Sequence, residues 1–441
     1  MRDILITALV LGSLPYIIRK PSFGVIMWVW ISVMNPHRLA YGFAYNFPFA
    51  VIIALTTMFG MMVSKEEKHF PVRAVTISLF LYMLWMNVTS IFAFHFDQLY
   101  TPWSTIMKTI LMVFVTIAVT RTKDQIRWLV WALVISLGFF GVKGGIFTVL
   151  HGGSFRVWGP TGSYIEENNA LALALIMTIP LMRYLQITEE NRMVKTGLGI
   201  SMVLCAFSAL GSYSRGALIA ISCAALFLWL KSSKKAGVGL AVIFLLPLLI
   251  AFMPEDWTNR MQTIDTYQQD GSAMGRINAW HMAWNLALDR PLVGGGYEIY
   301  DKGTFAVYAP NPVDVHAAHS IYFQALGEHG FVGLALFLSL GFFTWRNGSW
   351  VISRVRGSPD HAWTAELARM IQVSQVAFAT GGAFLSLDYF DLPYYELAIM
   401  LVVRLLVERE MGEGKIAKAS PEVLPVPKRL AVSRKMRREP D

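Results

Sequence analysis

Arg215 lies in GSYSRGAL, a turn so short that two apolar runs meet across it. An arginine near membrane depth costs about 2.5–3.5 kcal/mol on insertion scales, so it either snorkels to the surface or meets an anion. Ser212, Tyr213 and Ser214 beside it add hydroxyl donors, which suits an anion clamp with Ser214 as an accessory group. Arg276 follows DGSAMG, a stretch that reads as the N-cap region of a helix, where backbone amides also favour negative charge. Arg156 lies between two glycine-containing stretches with Trp158 close by. Guanidinium forks bind phosphate oxygens bidentately and stay charged, each charge-assisted bond contributing about 1.5–3 kcal/mol. Several of them at one interface suit a lipid whose headgroup is a diphosphate. Arg38, Arg260, Arg290 and Lys302 have no such context and read as solvated charges.

His316 and His319 stand three apart in NPVDVHAAHSIYFQALGEHGFVG, on one face if a helix has already begun. An imidazole titrating near neutrality can take a proton from a sugar hydroxyl or orient the acceptor, a contribution of about 10²–10⁴-fold. A zinc site is not expected: there is no HExxH, no cysteine to serve as third ligand, and Asp314 and Glu328 do not complete a set. Glu166 and Glu167 are adjacent, so they need not face each other as a hydrolytic pair. No GxSxG or P-loop occurs in its required context, and Gly294–Gly296 after Pro291 reads as a turn. No nucleotide or other cofactor is expected.

The elements that must hold these residues are membrane helices. The 441 residues are 55% hydrophobic and only 15% charged, with a mean hydropathy of +0.48. A soluble domain is nearer 25% charged. The apolar runs are long enough to cross a bilayer as helices, and the alternating strands of an outer-membrane barrel are missing. Apolar segments fall at 4–18, 22–35, 48–63, 73–95, 104–120, 126–149, 168–187, 193–211, 214–231, 236–253, 320–345, 364–387 and 391–408. The first two are short and could be half-helices or a re-entrant pair, so about twelve spans are expected. Residues 1–253 then hold about ten spans, 254–319 form one long external loop, 320–408 hold the C-terminal spans, and 409–441 form a basic, disordered cytoplasmic tail. The N-terminal segment reads as a retained span, since no small-residue cleavage site follows it. Cys205 and Cys223 lie inside apolar runs and read as small buried hydrophobes.

Net charge is +9. In a soluble protein that would suggest a nucleic-acid partner, but here 28 of the 38 lysines and arginines fall in alternate loops and the tail. That bias marks those loops as cytoplasmic and reports topology, not nucleic-acid binding. The opposite, periplasmic side carries the loop His151–Asn168 and the long loop Pro254–His319. Within the latter, MGRINAWHMAWNLALD puts Ile277, Trp280, Trp284, Ala287 and Leu288 on one helical stripe, so this helix is expected to lie on the membrane surface or cap a cavity.

Taken together these residues resemble the O-antigen ligase and O-antigen polymerase superfamily. SYSRGA at Ser212–Ala217 resembles its outer-face arginine motif. Gly275-Arg276 with Trp280 and DRPLVGGGY at Asp289–Tyr297 resembles its long periplasmic loop. HSIYFQALGEHGFVG at His319–Gly333 and GPTGSYIEENNALALAL at Gly159–Leu175 look like two further segments. The likeness covers roughly residues 150–345, and the architecture is most similar to the O-glycosylation ligases of that superfamily. The resemblance implies an all-α polytopic glycosyltransferase of the GT-C type in the bacterial inner membrane, metal-independent, with its active site on the periplasmic face. It would move a glycan from undecaprenyl diphosphate to lipid A-core, for lipopolysaccharide assembly, or to a protein hydroxyl as glycoprotein acceptor; in a polymerase the acceptor is a second lipid-linked glycan. Arg215 and Arg276 match its diphosphate-binding arginines and His319 its essential histidine. His316, Arg156, Ser214, Asn168 and Tyr322 are accessory candidates. A lipid-linked glycan transporter would instead require mid-span charges and an internal repeat; few of the former and none of the latter are found.

Overall fold

The computed structural model describes residues 1–232, 235–262, 268, 270–385 and 387–419, with side chains described to 412. Among these residues the chain is helical and has no strand. The order is α1 (Arg2–Arg19), α2 (Pro21–Val29), α3 (Phe49–Val63), α4 (Ala74–Ile91), α5 (Tyr100–Val119), α6 (Lys123–Leu150), α7 (Asn168–Thr188) and α8 (Arg192–Leu210). Then follow α9 (Arg215–Lys231), α10 (Lys235–Ala251), α11 (Glu255–Gln262), α12 (Gly271–Asp289), α13 (Lys302–Tyr308), α14 (Ile321–Arg354), α15 (Ala362–Gly381) and α16 (Asp391–Ala419).

Each of the thirteen apolar segments coincides with helix. Six helices, α4 to α8 and α14, are long and apolar enough to cross a membrane. The bent pair of α10 and α11, turned by 107°, raises the number to seven, and Pro21–Met34 and α3 are shorter apolar helices. Polar groups interrupt α15 and α16, among them Glu366, Arg369, Glu396 and Arg404. α9 has only 17 residues and α1 carries Arg2, Asp3 and Arg19 at its ends, so length and composition alone yield fewer than the expected twelve. α16 runs on as helix to Ala419, past the expected end of the span at 408. The rest of the basic tail, 420–441, lies outside the described residues.

The loops sort into two groups that touch one another across the chain. At one end Glu66 accepts from Ser22 and Gln125, Arg73 pairs with Glu408 at 2.5 Å and Arg127 with Glu189 at 2.7 Å, and His361 meets Glu410. These are the loops that carry the basic bias. At the other end the 151–168 loop, the turn at 211–214 and the 254–320 segment come together.

Between the ends, α7 lies at the centre, packed on α6, α8, α9 and α15. Its Ala170, Ala172 and Ala174 alternate with buried leucines, so neighbouring backbones approach closely. α6 meets α8 through Gly141, Gly144 and Gly145; a Cβ on Gly145 would run into the Leu204 carbonyl. Cys205 is buried in this contact, as its apolar setting suggested, and Cys223 is half-buried.

α14 is broken at Gly330, whose φ of 68° and ψ of −172° interrupt the helix. The break frees backbone groups that PLVGGG satisfies: Gly295 N–H donates to the Gly327 carbonyl and Gly296 N–H to the Glu328 carbonyl, each at 2.9 Å, while Phe331 N–H donates to Pro291 at 2.8 Å. Beneath it a buried polar cluster ties α14 to α4 and to the 388–390 segment. Tyr389 donates to Glu328, and His329 meets Tyr389 and Thr89, each at 2.7 Å. Gly145→Ala should cost about 1–3 kcal/mol by overpacking. Gly197→Ala, where nothing lies within 4 Å, should be neutral or stabilising by up to about 1 kcal/mol. Thermal unfolding of the two variants in detergent checks the contrast.

Candidate active site

Two helix N-termini converge at the non-basic end. Ser214 caps α9, its hydroxyl accepting from Ala217 N–H at 3.1 Å, so Arg215 is the first helical residue. Asp270 caps α12 in the same way, accepting from Ala273 N–H at 3.0 Å. The two caps are joined, because Arg215 Nη1 pairs with Asp270 Oδ2 at 2.9 Å with both side chains only 12% exposed. The turn before α9 is held by Asn168, which donates to the Ser212 carbonyl at 2.6 Å. Tyr213 adopts a left-handed backbone with φ of 60° and donates from its hydroxyl to Gly153 O at 2.8 Å.

Around these caps lies a cavity of about 90 Å³ lined by four arginines, Arg156, Arg215, Arg260 and Arg276, with Asn168 and Ser272. The structure therefore brings together Arg215, Arg276, Arg156, Asn168 and Ser214, all expected from sequence. Arg156 stacks over the Tyr213 ring, 5.8 Å from its centroid. Arg276 is half-buried, and its Nε is buried with no hydrogen-bond partner. Burial first, then the charges of Arg215 and Arg260, holds the Arg276 guanidinium below its usual range against the opposing pull of Asp270 and Glu167. Burial opposes ionisation of Asp270, but hydrogen bonds from Arg215 and Ala273, with the charges of Arg215 and Arg260, hold its carboxyl below the ordinary range.

Arg260 is a correction to the sequence reading. It is half-buried at the cavity and not a solvated loop charge, because α11 is anchored by Trp257, which is buried and donates to Leu210 O at 2.9 Å. Met261 is buried too, so residues 257, 260 and 261 share the inward side of a short helix; that spacing was the available signal. Arg290 is also engaged, donating to Phe92 O at 2.7 Å and stacking on Phe94. Arg38 stacks over Tyr45, 4.7 Å from the ring centroid. Asp270 had no signal of its own beyond the N-cap pattern.

The histidines are delivered by α12. Asn278 on this helix donates to the carbonyls of Asn311 and Asp314, at 2.8 and 2.9 Å, and accepts from Asn311 N–H. Trp280 donates to Ala318 O at 2.7 Å and stacks on Phe323 with ring centroids 5.1 Å apart. His316 packs its ring over Gly275, where a side chain would collide with it, and pairs with Asp314 at 2.9 Å. His319 is held with φ of 43°, and its Nδ1 is 4.0 Å from Glu167 Oε2. Burial, then the neighbouring Arg276 charge, lowers the His319 pKa against the opposing pull of Glu167. It is therefore neutral, and able to accept a proton, at neutral pH.

The stripe of Ile277, Trp280, Trp284, Ala287 and Leu288 is not the packing face of α12. Gly275, Asn278, Ala279, Met282, Ala283 and Leu286 are buried instead, with Ala287 the one stripe residue buried beside them, while Trp284 and Leu288 are exposed. Small residues let α12 approach α14 closely and leave the large ones outside. Tyr322 is not brought to the cavity; it donates to Ala379 O and lines an apolar groove between α14, α15 and α16. Among the described residues no group of three or more His, Cys, Asp or Glu is arranged to hold a metal ion.

Residues 200–338 match the family model described as O-antigen ligase. Over this stretch the chain is similar to the O-antigen ligases, which supports a place in that superfamily. The stretch contains Arg215, Arg260, Asp270, Arg276, His316 and His319. That family implies glycosyltransferase-like activity in the broad sense, with a lipid-linked glycan and an acceptor as partners in general, and the apolar helices fit a multi-pass membrane protein. Residues 1–190, including the GPTGSYIEENN segment with Asn168, match a family of unknown function. No curated protein matches the chain.

Within the matched stretch, Asp270 is a carboxylate that pairs with Arg215. Asp270→Asn keeps a good cap and removes the competing charge. It should bind inorganic diphosphate at least about fivefold more tightly than the natural protein, measured by calorimetry; unchanged or weaker binding would show that Asp270 does not compete for Arg215.

Proposed function

We propose that the protein transfers a glycan from undecaprenyl diphosphate to a hydroxyl acceptor, lipid A-core or a protein, on the periplasmic face of the inner membrane. The observation that supports this reading is the juxtaposition of a half-buried histidine, His319, with a cavity walled by four arginines. A diphosphate is the leaving group that such a cavity suits. Its oxygens meet the forks of Arg215 and Arg276 and the amides at two helix N-termini, and the charge that builds on it as the bond breaks is met by dipoles already in place.

The step balances simply. The acceptor oxygen attacks the anomeric carbon, the bond from that carbon to the phosphate oxygen breaks, and undecaprenyl diphosphate leaves with its electron pair. His319 takes the hydroxyl proton. Glu167 is placed to steady the imidazolium that forms, and Arg276 opposes it, so the histidine is a base that does not stay charged. Direct displacement inverts the configuration at the anomeric carbon; a product with retained configuration would overturn that step. The basic loops collect at the opposite end of the molecule, which supports an outward orientation of this end by the positive-inside rule.

Reconstitution with an undecaprenyl-diphosphate glycan and lipid A-core, with products weighed by mass spectrometry, tests the reaction. Transfer to lipid A-core makes the enzyme a ligase, and longer lipid-linked glycan makes it a polymerase. Arg215→Ala or Arg276→Ala should weaken donor-lipid binding at least about tenfold in a folded protein. His319→Ala should lower transfer by about 10²–10⁴-fold with donor binding retained. The rate should rise with pH and level off below 6.5, because the His319 pKa is lowered. Arg276→Gln should move that limb up towards 6.5 and Glu167→Gln should move it down; a limb that neither variant shifts would remove His319 as the titrating base.

A further inference from the structure

At the basic end a crevice of about 230 Å³ opens between α5 and α16. Its floor is Ile117, Val402 and Leu406, each no more than 4% exposed, with Leu405 on the wall. The crevice is thus cut into the protein itself and is not merely the lipid-facing side of a helix. Its mouth is polar and cationic, formed by Thr120, His69, Arg121 and Arg409. The backbone of His69 donates to Ala118 O at 3.0 Å, so the 64–73 loop straps the end of α5 and forms one lip.

The charges at this mouth are poorly neutralised compared with their neighbours. Arg73 and Arg404 share Glu408 at 2.5 and 2.9 Å, and Arg127 holds Glu189 at 2.7 Å. Arg121 reaches only Glu67, at 3.8 Å, and that carboxylate side chain is 80% exposed. Arg409 donates to the Arg121 carbonyl at 3.3 Å and makes no ion pair among the described residues. Among the described residues no carboxylate lines the crevice.

We propose that this crevice binds an anionic phospholipid of the leaflet at the basic end, the phosphate between Arg121 and Arg409 and one acyl chain on the Val402–Leu406 floor. Two guanidiniums and a hydroxyl select a phosphate oxyanion, and the aliphatic floor selects a ligand with a chain over a soluble anion. Basic pockets between membrane helices at the cytoplasmic surface are where lipid headgroups of this charge are held. The site is remote from the candidate active site and does not depend on the function proposed for it.

Native mass spectrometry of the full chain in detergent, offered equal phosphatidylglycerol and phosphatidylcholine, tests the site. The natural protein should retain phosphatidylglycerol preferentially. Arg409→Gln, a change at an exposed side chain, should weaken that binding about fivefold, and Arg121→Gln/Arg409→Gln about 25-fold. Leu405→Trp leaves both charges and fills the chain slot, and it should weaken phosphatidylglycerol binding as well, with unchanged thermal unfolding verifying the fold. Equal retention of the two lipids, or undiminished phosphatidylglycerol binding in the Arg409 and Leu405 variants, would overturn the proposal. So would displacement of the lipid by glycerol 3-phosphate as effectively as by phosphatidylglycerol itself, since the occupant would then be a soluble anion.

Discussion

Four guanidiniums around a cavity of about 90 Å³ repel one another, and much of this end of the molecule is explained by how they are held. Two unit charges 4 Å apart in a protein of effective dielectric near 20 repel by about 4 kcal/mol, so the arrangement is strained unless anionic charge sits among them. Among the described residues Asp270 supplies a carboxylate, bonded to Arg215 and fixed by its capping role on α12. Helix amides at the α9 and α12 N-termini add to the positive potential instead of relieving it. Among the described residues the cavity gathers four arginines around one resident carboxylate, which is what supports the diphosphate reading proposed above.

Holding such a cluster demands a scaffold that does not yield. The 211–214 turn is pinned by Asn168 from α7 and by the Tyr213 hydroxyl on Gly153, which fixes Arg215 relative to the 151–168 loop. α11 is pinned by Trp257, which fixes Arg260. α12 then carries both an arginine of the cavity and, through Asn278 and Trp280, the strap that ends in His319. The break in α14 at Gly330 completes the frame, since the backbone groups it frees are taken up by the glycine-rich turn that follows α12. The conformation of one strained glycine thus couples the long loop to the helix behind it.

The two ends of the molecule treat arginine differently. At the basic end most of the cross-links described are arginine–carboxylate or arginine–carbonyl contacts that tie loops together, and the crevice beside Arg121 and Arg409 is where that neutralisation is least complete. At the opposite end arginines are gathered around a void. The same residue type ties loops together in one place and lines a cavity in the other, and the difference lies in which partners the neighbouring elements bring.

Periodicity, composition and local spacing determined much of this protein. Apolar runs located thirteen helical segments, charge bias separated one set of loops from the other, and the cost of an arginine beside an apolar run singled out Arg215. A cap pattern did the same for Arg276, and a spacing of three for His316 and His319. These are properties of contiguous sequence, and helices are local structures. Only the tertiary structure decided that Arg260 joins the cavity, that Asp270 is its resident carboxylate, and that Asn278 anchors the histidine strap. It alone decided that Tyr322 faces a groove elsewhere, and that the small face of α12, not its tryptophan stripe, turns inward. Those outcomes depend on which distant backbones approach closely enough to exchange a hydrogen bond or a charge, and that distance is set by side-chain volume on both partners, which no single stretch of sequence contains.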